Sequence, residues 1–190
     1  MRRTVLAIAA LSLALGSLTA CTETPAMNTT YQSGDGTVTE IKPANRAEAV
    51  AWSGIANDGL PLGSQNLQGV ITVINFWYAA CVACRVETPD LVELANEFEG
   101  QVQFVGVNVR DSADTANAFK RKFKINFPSI MDANTGDVVL AFTGVVSPSA
   151  VPTTLVIDRE GRPAARVLGI AEKSTLKALI TSVIKEGSAD

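Results

Sequence analysis

Cys81 and Cys84 are separated by Val82 and Ala83, and they follow an apolar run that ends in Phe76–Trp77. The run reads as the end of a strand, and the residues after it as the start of a helix. In a helical first turn, this spacing stacks one sulfur over the other on the same face. The first sulfur can be exposed while the second stays underneath, an arrangement suited to a disulfide that opens and closes.

The rest of the composition narrows the chemistry around that pair. The chain of 190 residues contains no histidine, so Ser-His and Cys-His catalysis and His-ligated metal sites are excluded. A net charge of -3 offers no basic surface for nucleic acid. The third cysteine, Cys21, has its own context. Met1-Arg2-Arg3 is a basic start, residues 5–18 form an apolar core, and Leu18-Thr19-Ala20-Cys21 follows. The core is short for a membrane span and suits a signal peptide. The tetrapeptide resembles the bacterial lipobox, which implies cleavage before Cys21 and lipidation of its thiol. Ordinary secretion with cleavage near Ala20 and an uncleaved anchor are the alternatives. Arg2-Arg3 leaves the choice between general secretion and twin-arginine export open. Every route puts the domain outside the cytoplasm, where disulfides persist. The expected organisation is a lipoprotein signal peptide over residues 1–20, a flexible tether over 21–36 and one domain over 37–187.

The elements that must position the cysteines follow from periodicity. Residues 37–42 alternate as a short edge strand, and 56–69 are rich in turns with room for one hairpin. Residues 70–76 form a continuous β-branched run, which predicts a strand covered on both faces. Residues 84–98 have helical spacing, with Val86, Leu91, Leu94, Ala95 and Phe98 on one side. Glu87, Asp90, Glu93 and Glu97 are expected to face out, and Pro89 to kink the helix. A second buried strand (102–109), a helix (113–123), a short strand or turn (127–131), a short helix (138–142), a hairpin (153–157 and 164–168) and a final helix (174–184, capped by Ser174) complete the pattern. This order predicts an open α/β sheet with helices on both faces, and places the cysteines at a strand's carboxyl end, where chemistry in such sheets tends to sit.

Phe76-Trp77-x-x-x-Cys81-x-x-Cys84-Arg85-x-Glu87-x-Pro89, with Val151-Pro152-Thr153 later, resembles the TlpA/ResA-type thioredoxin-like proteins. These are extracytoplasmic thiol-disulfide oxidoreductases. The resemblance covers roughly residues 50 to 187 and implies a thioredoxin-like fold, a central mixed sheet flanked by helices. It also implies a TlpA/ResA-type insertion between the CxxC helix and the cis-proline strand. Residues 104–142 resemble that insertion.

Within that frame Cys81 is the expected nucleophile, because a helix amino end favours thiolate over thiol. Cys84, expected to be more buried, attacks the mixed disulfide and releases the reduced substrate. The resemblance implies a cis bond at Pro152, leaving the Val151 backbone free to pair with an extended substrate. Trp77 is expected to pack beside the disulfide and shape the contact surface. Catalysis is thus assigned to Cys81 and Cys84, substrate contact to Trp77, Val151 and Pro152, and lipidation to Cys21, with no metal and no cofactor. The implied partners are protein thiols and disulfides, an electron-carrier membrane protein of the DsbD/CcdA type and the lipid bilayer, with a monomeric chain. The implied work is reduction, for example of apocytochrome c cysteines for haem attachment.

Two positions depart from well-known relatives. Asn75 stands where cytoplasmic thioredoxin carries a buried aspartate, and it cannot titrate. Val82-Ala83 is neither Gly-Pro nor Pro-His, and it lacks the acidic residue of ResA, so the direction of electron flow stays open. Glu87 could assist proton transfer, but its reading as a solvated charge is preferred and it is left outside the catalytic set.

The near alternative is an oxidase or isomerase of secreted proteins. A copper chaperone of the Sco type needs Cys-x-x-x-Cys and a histidine, which this chain lacks. A peroxiredoxin needs a Pro-x-x-x-Thr-x-x-Cys context, which Tyr78-Ala79-Ala80-Cys81 does not supply. A static disulfide in a binding lipoprotein is the remaining alternative. Against it, so small a loop removes little chain entropy.

Overall fold

The computed structural model describes residues 29–33, 36–146 and 150–187. The signal peptide, Cys21 and most of the expected tether therefore lie outside the described residues.

A mixed sheet of seven strands runs in the order β1-β2-β9-β8-β5-β6-β7. The strands are β1 (Thr29–Ser33), β2 (Gly36–Glu40), β5 (Ile71–Trp77), β6 (Val102–Asn108), β7 (Ser129–Met131), β8 (Thr153–Ile157) and β9 (Pro163–Leu168). Strands β5, β6 and β7 are parallel, and β8 runs antiparallel to both β5 and β9. A small hairpin of β3 (Ser53–Ile55) and β4 (Pro61–Gly63) stands apart. The helices are α1 (Val82–Glu97), α2 (Ala113–Phe123), α3 (Asp137–Ala141) and α4 (Lys173–Glu186).

Strand β5 is buried along its whole length and divides its side chains between two cores. Ile71 and Val73 join Leu91 and Leu94 of α1 and Leu176 and Ile180 of α4. Ile74 and Phe76 join Trp52, Val138 of α3 and Phe142 at its carboxyl cap on the other side. The period of two along the strand therefore sends Val73, Asn75 and Trp77 toward α1. This is how the sheet delivers Asn75 and Trp77 to the cysteine helix.

Four local expectations are corrected. Strand β2 is no edge, since it lies between β1 and β9. Strand β1 falls inside the stretch expected to be a tether: Thr and Tyr are good strand formers, and backbone pairing with β2 supplies what a low apolar content does not. Helix α4 begins at Lys173, and its N-cap Glu172 makes no side-chain capping bond, so Ser174 is not the cap. Val86, which helical spacing puts on the buried side of α1, is 59 % exposed. Helix α1 itself continues through Pro89 as one element.

Candidate functional site

Cys81 is the N-cap of α1, with extended backbone, and its Sγ accepts a hydrogen bond from the Cys84 N–H at 3.0 Å. The two cysteines are joined as a disulfide, with Cα atoms 5.3 Å apart. A sulfur in this position meets the unpaired amides and positive end of the helix dipole, both favourable to negative charge. Both residues are largely covered, Cys84 at 1 % exposure and Cys81 at 4 %.

Val151-Pro152 is a cis peptide, and the Val151 carbonyl oxygen lies 4.0 Å from Cys81 Sγ. The two stretches singled out from opposite halves of the sequence therefore meet at one sulfur. Trp77 is in the same cluster as both cysteines, but it is buried and stacks on Phe119 at 4.7 Å between centroids. It packs the disulfide from inside and presents little of itself to a partner, which corrects the expectation that it forms contact surface.

The loop before Cys81 is held by Asp111, from the segment between β6 and α2. Asp111 Oδ2 accepts from the Ala79 N–H at 2.6 Å and from the Asn108 amide at 2.7 Å. Asn108 Oδ1 accepts in turn from the Asp111 N–H at 2.8 Å, and the Val109 N–H bonds the Trp77 carbonyl at 3.1 Å. The Arg110 guanidinium lies 4.3 Å from the centre of the Tyr78 ring. Sequence reasoning missed Asp111 because a single acidic residue after a strand has no local signature.

Glu87 overturns its expected place on the solvated face. It is 1 % exposed. Its Oε1 accepts from Asn75 Nδ2 at 2.8 Å and its Oε2 from the Ala171 N–H at 2.9 Å. Asn75 Nδ2 also donates to Thr154 Oγ1 at 3.0 Å, which joins β5, β8 and α1 in one buried polar network. Burial pushes the Glu87 pKa up to about 7, against the lowering effect of its bonds to Ala171 and Asn75. A signal did exist: Glu87 lies one turn beyond Cys84, on the face that the helix turns toward Asn75.

The geometry supplies an attackable sulfur at a helix amino end, a backbone edge beside it and a buried carboxyl group that titrates near neutrality. Comparison with known proteins agrees with that chemistry. Residues 46–163 match a model of the AhpC/TSA family. The chain is 30% identical over 131 residues to the thiol-disulfide oxidoreductase ResA of Bacillus subtilis, covering 68% of this chain and 70% of the relative. It is 30% identical over 122 residues to the thiol:disulfide interchange protein HelX of Rhodobacter capsulatus, covering 64% of this chain and 65% of that protein. Among solved structures, a secreted thiol-disulfide isomerase of Corynebacterium glutamicum is similar, with TM-score 0.73 at 26% identity, over 84% of this chain and 99% of that one. A DsbF homologue from Corynebacterium diphtheriae has TM-score 0.69 at 29% identity, over 82% and 99% of the two chains.

Proposed function

The chain belongs to the AhpC/TSA family and is a thiol-disulfide oxidoreductase, and from that premise we propose that it reduces protein disulfides through Cys81 and Cys84 on the outer side of a membrane. The observation that carries the residue assignment is the Cys81–Cys84 disulfide at the amino end of α1, beside the Val151 carbonyl.

In the reduced protein the Cys81 thiolate attacks one sulfur of a substrate disulfide. A mixed disulfide forms, and the other substrate sulfur leaves as a thiolate, which takes a proton from solvent. Cys84 then loses its proton and attacks Cys81 Sγ. The Cys81–Cys84 bond closes and the second substrate thiolate is released. Two electrons have passed from the protein to the substrate. Glu87 is the group placed to receive the Cys84 proton. It lies one turn along the same helix, is enclosed with it, and has a pKa of about 7, so it can accept and release a proton at neutral pH. It takes the part that Asn75, being unable to titrate, leaves vacant. The Val151 backbone guides an extended substrate across Cys81, with Pro152 buried behind it.

The apolar leader and the Cys21 context support export and lipid anchoring. Apocytochrome c is the substrate suggested by the family resemblance, and a DsbD/CcdA-type membrane protein the source of electrons. An isomerase role is favoured by one observation, the likeness to the Corynebacterium glutamicum isomerase. The reduction potential of the Cys81–Cys84 pair separates the two readings. A value well below that of glutathione supports a dedicated reductase; one near the secretory oxidants moves the function to disulfide formation or isomerisation.

A further inference from the structure

Charge is unevenly distributed over this molecule. The chain has a net charge of -3, yet between Asp114 and Asp132 it carries Lys120, Arg121, Lys122 and Lys124 and no carboxylate. Lys120 is turned inward, donating to Asn57 Oδ1 at 3.0 Å and to the Phe127 carbonyl. Arg121, Lys122 and Lys124 are exposed. The ion pairs among the described residues are made elsewhere, by Arg46, Arg162, Lys173 and Lys177. Arg121 and Lys122 of α2 make no ion pair among the described residues.

That end of α2 adjoins the disulfide. Phe119 shares a cluster with Cys81, Cys84 and Trp77, and Phe123 packs against it. The Arg85 guanidinium, one residue beyond Cys84, lies 5.6 Å from the Phe119 ring centre and 5.3 Å from that of Phe123. Lys122 Nζ approaches the same Phe123 ring at 5.9 Å. In the loop before Cys81, Arg110 lies over the Tyr78 ring at 4.3 Å. Asp111, a carboxylate next to Arg110, already accepts two hydrogen bonds; Asp58 lies near the inward-turned Lys120, and Asp90 follows Val86 one turn on. Helix α1 exposes two apolar residues beside the cysteines, Val82 at 77 % and Val86 at 59 %, one turn apart.

We propose that this rim docks an extended protein segment whose exchanging cysteine is flanked by carboxylates. The inference rests on the thiol-exchange reading above and adds the chemistry of the partner. Val82 and Val86 cover the apolar part of the segment. Arg85, Arg110 and Lys122 attract its acidic flanks and raise the encounter rate, an effect that salt screens. No new bond chemistry is involved.

The test uses three cysteine peptides that differ only in flanking Asp, Asn or Lys, each presented to the reduced full chain as a mixed disulfide with 2-mercaptoethanol. At low ionic strength the Asp peptide is expected to react about tenfold faster than the Lys peptide, the ratio falling toward one near about 0.5 M salt. In the Lys122→Glu variant that ratio falls several-fold at low salt, and an unchanged ratio overturns the inference. Equal rates for the three peptides, or a faster Lys peptide, overturn the inference while leaving the thiol-exchange reading standing. Failure to react with any of them overturns that reading and the inference with it.

Discussion

Asn75 holds Glu87 across the boundary between the central strand and the cysteine helix, its amide donating to Glu87 Oε1 at 2.8 Å. The carboxyl group is thereby fixed on the face of α1 that carries Cys84, and burial keeps its pKa near 7. In the unfolded chain the same group has an ordinary value, 4.5. Between these two values the native protein holds a proton that the unfolded chain has lost, so stability falls as pH rises. The loss over that window is on the order of 3 kcal/mol. Urea midpoints at several pH values should show it in the wild type. In Glu87→Gln this component of the slope should vanish, whatever the substitution costs in absolute terms. Exchange by Glu87→Gln should also be slowed at the step that closes the Cys81–Cys84 bond, read by the lifetime of the mixed disulfide.

Asp111 is a positioning residue for the loop that leads into Cys81. Asp111→Ala leaves the Ala79 N–H and the Asn108 amide without their acceptor. The expected loss is about 1 to 3 kcal/mol of stability, with slower exchange as the loop loosens. Asp111→Asn keeps one acceptor oxygen and should recover most of both. Chemical denaturation and the pH dependence of Cys81 alkylation distinguish the two variants.

Gly106 lets the sheet pass close beneath the site. A Cβ there would lie 2.3 Å from Ser129 Oγ and 2.7 Å from Trp77 Nε1. Backbone pairing to β5 and β7 prevents the strand from retreating. Gly106→Ala should destabilise by about 1 to 3 kcal/mol and alter Trp77 fluorescence. A thermal melt followed by that fluorescence checks both.

Arg46 ties the segment before β3 to the far end of the fold. Its guanidinium pairs with Asp158 at 3.1 Å and Glu186 at 2.7 Å, and Arg46 and Asp158 are almost wholly buried. Arg46→Ala should cost about 1 to 3 kcal/mol, because Asp158 keeps its pair with Arg162 at 2.9 Å and Glu186 is partly exposed, while the packing and hydrogen bonds of the buried guanidinium are lost. Exchange per folded molecule should be much less affected, since this network is remote from the cysteines; thermal stability and exchange rate are the paired measurements.

Much of this arrangement is legible in the sequence because it is local. The run before Phe76 dictates β5, the two-residue spacing dictates the stacked cysteines, and Thr153–Ile157 has the strand chemistry observed. What escapes is decided by packing across the chain. Glu87 looks solvated when read with its neighbours Asp90 and Glu93, yet Ala171 and Asn75 close over it. Val86 looks buried by period alone, but no element among the described residues covers that side of α1. Asp111 acquires its role only when the end of β6 comes alongside the cysteine loop. Within the AhpC/TSA family the residues before Cys81 lack the Thr and Pro of the peroxiredoxin context, as the sequence shows.

The most direct test of the account is a pair of single-cysteine variants, each reacted in folded, reduced form with a peptide disulfide. Cys84→Ser should accumulate a stable mixed disulfide through Cys81, whereas Cys81→Ser should react far more slowly. Equal trapping by both variants, or trapping through Cys84 alone, would contradict the assignment of Cys81 as the attacking sulfur and Cys84 as the one that resolves it.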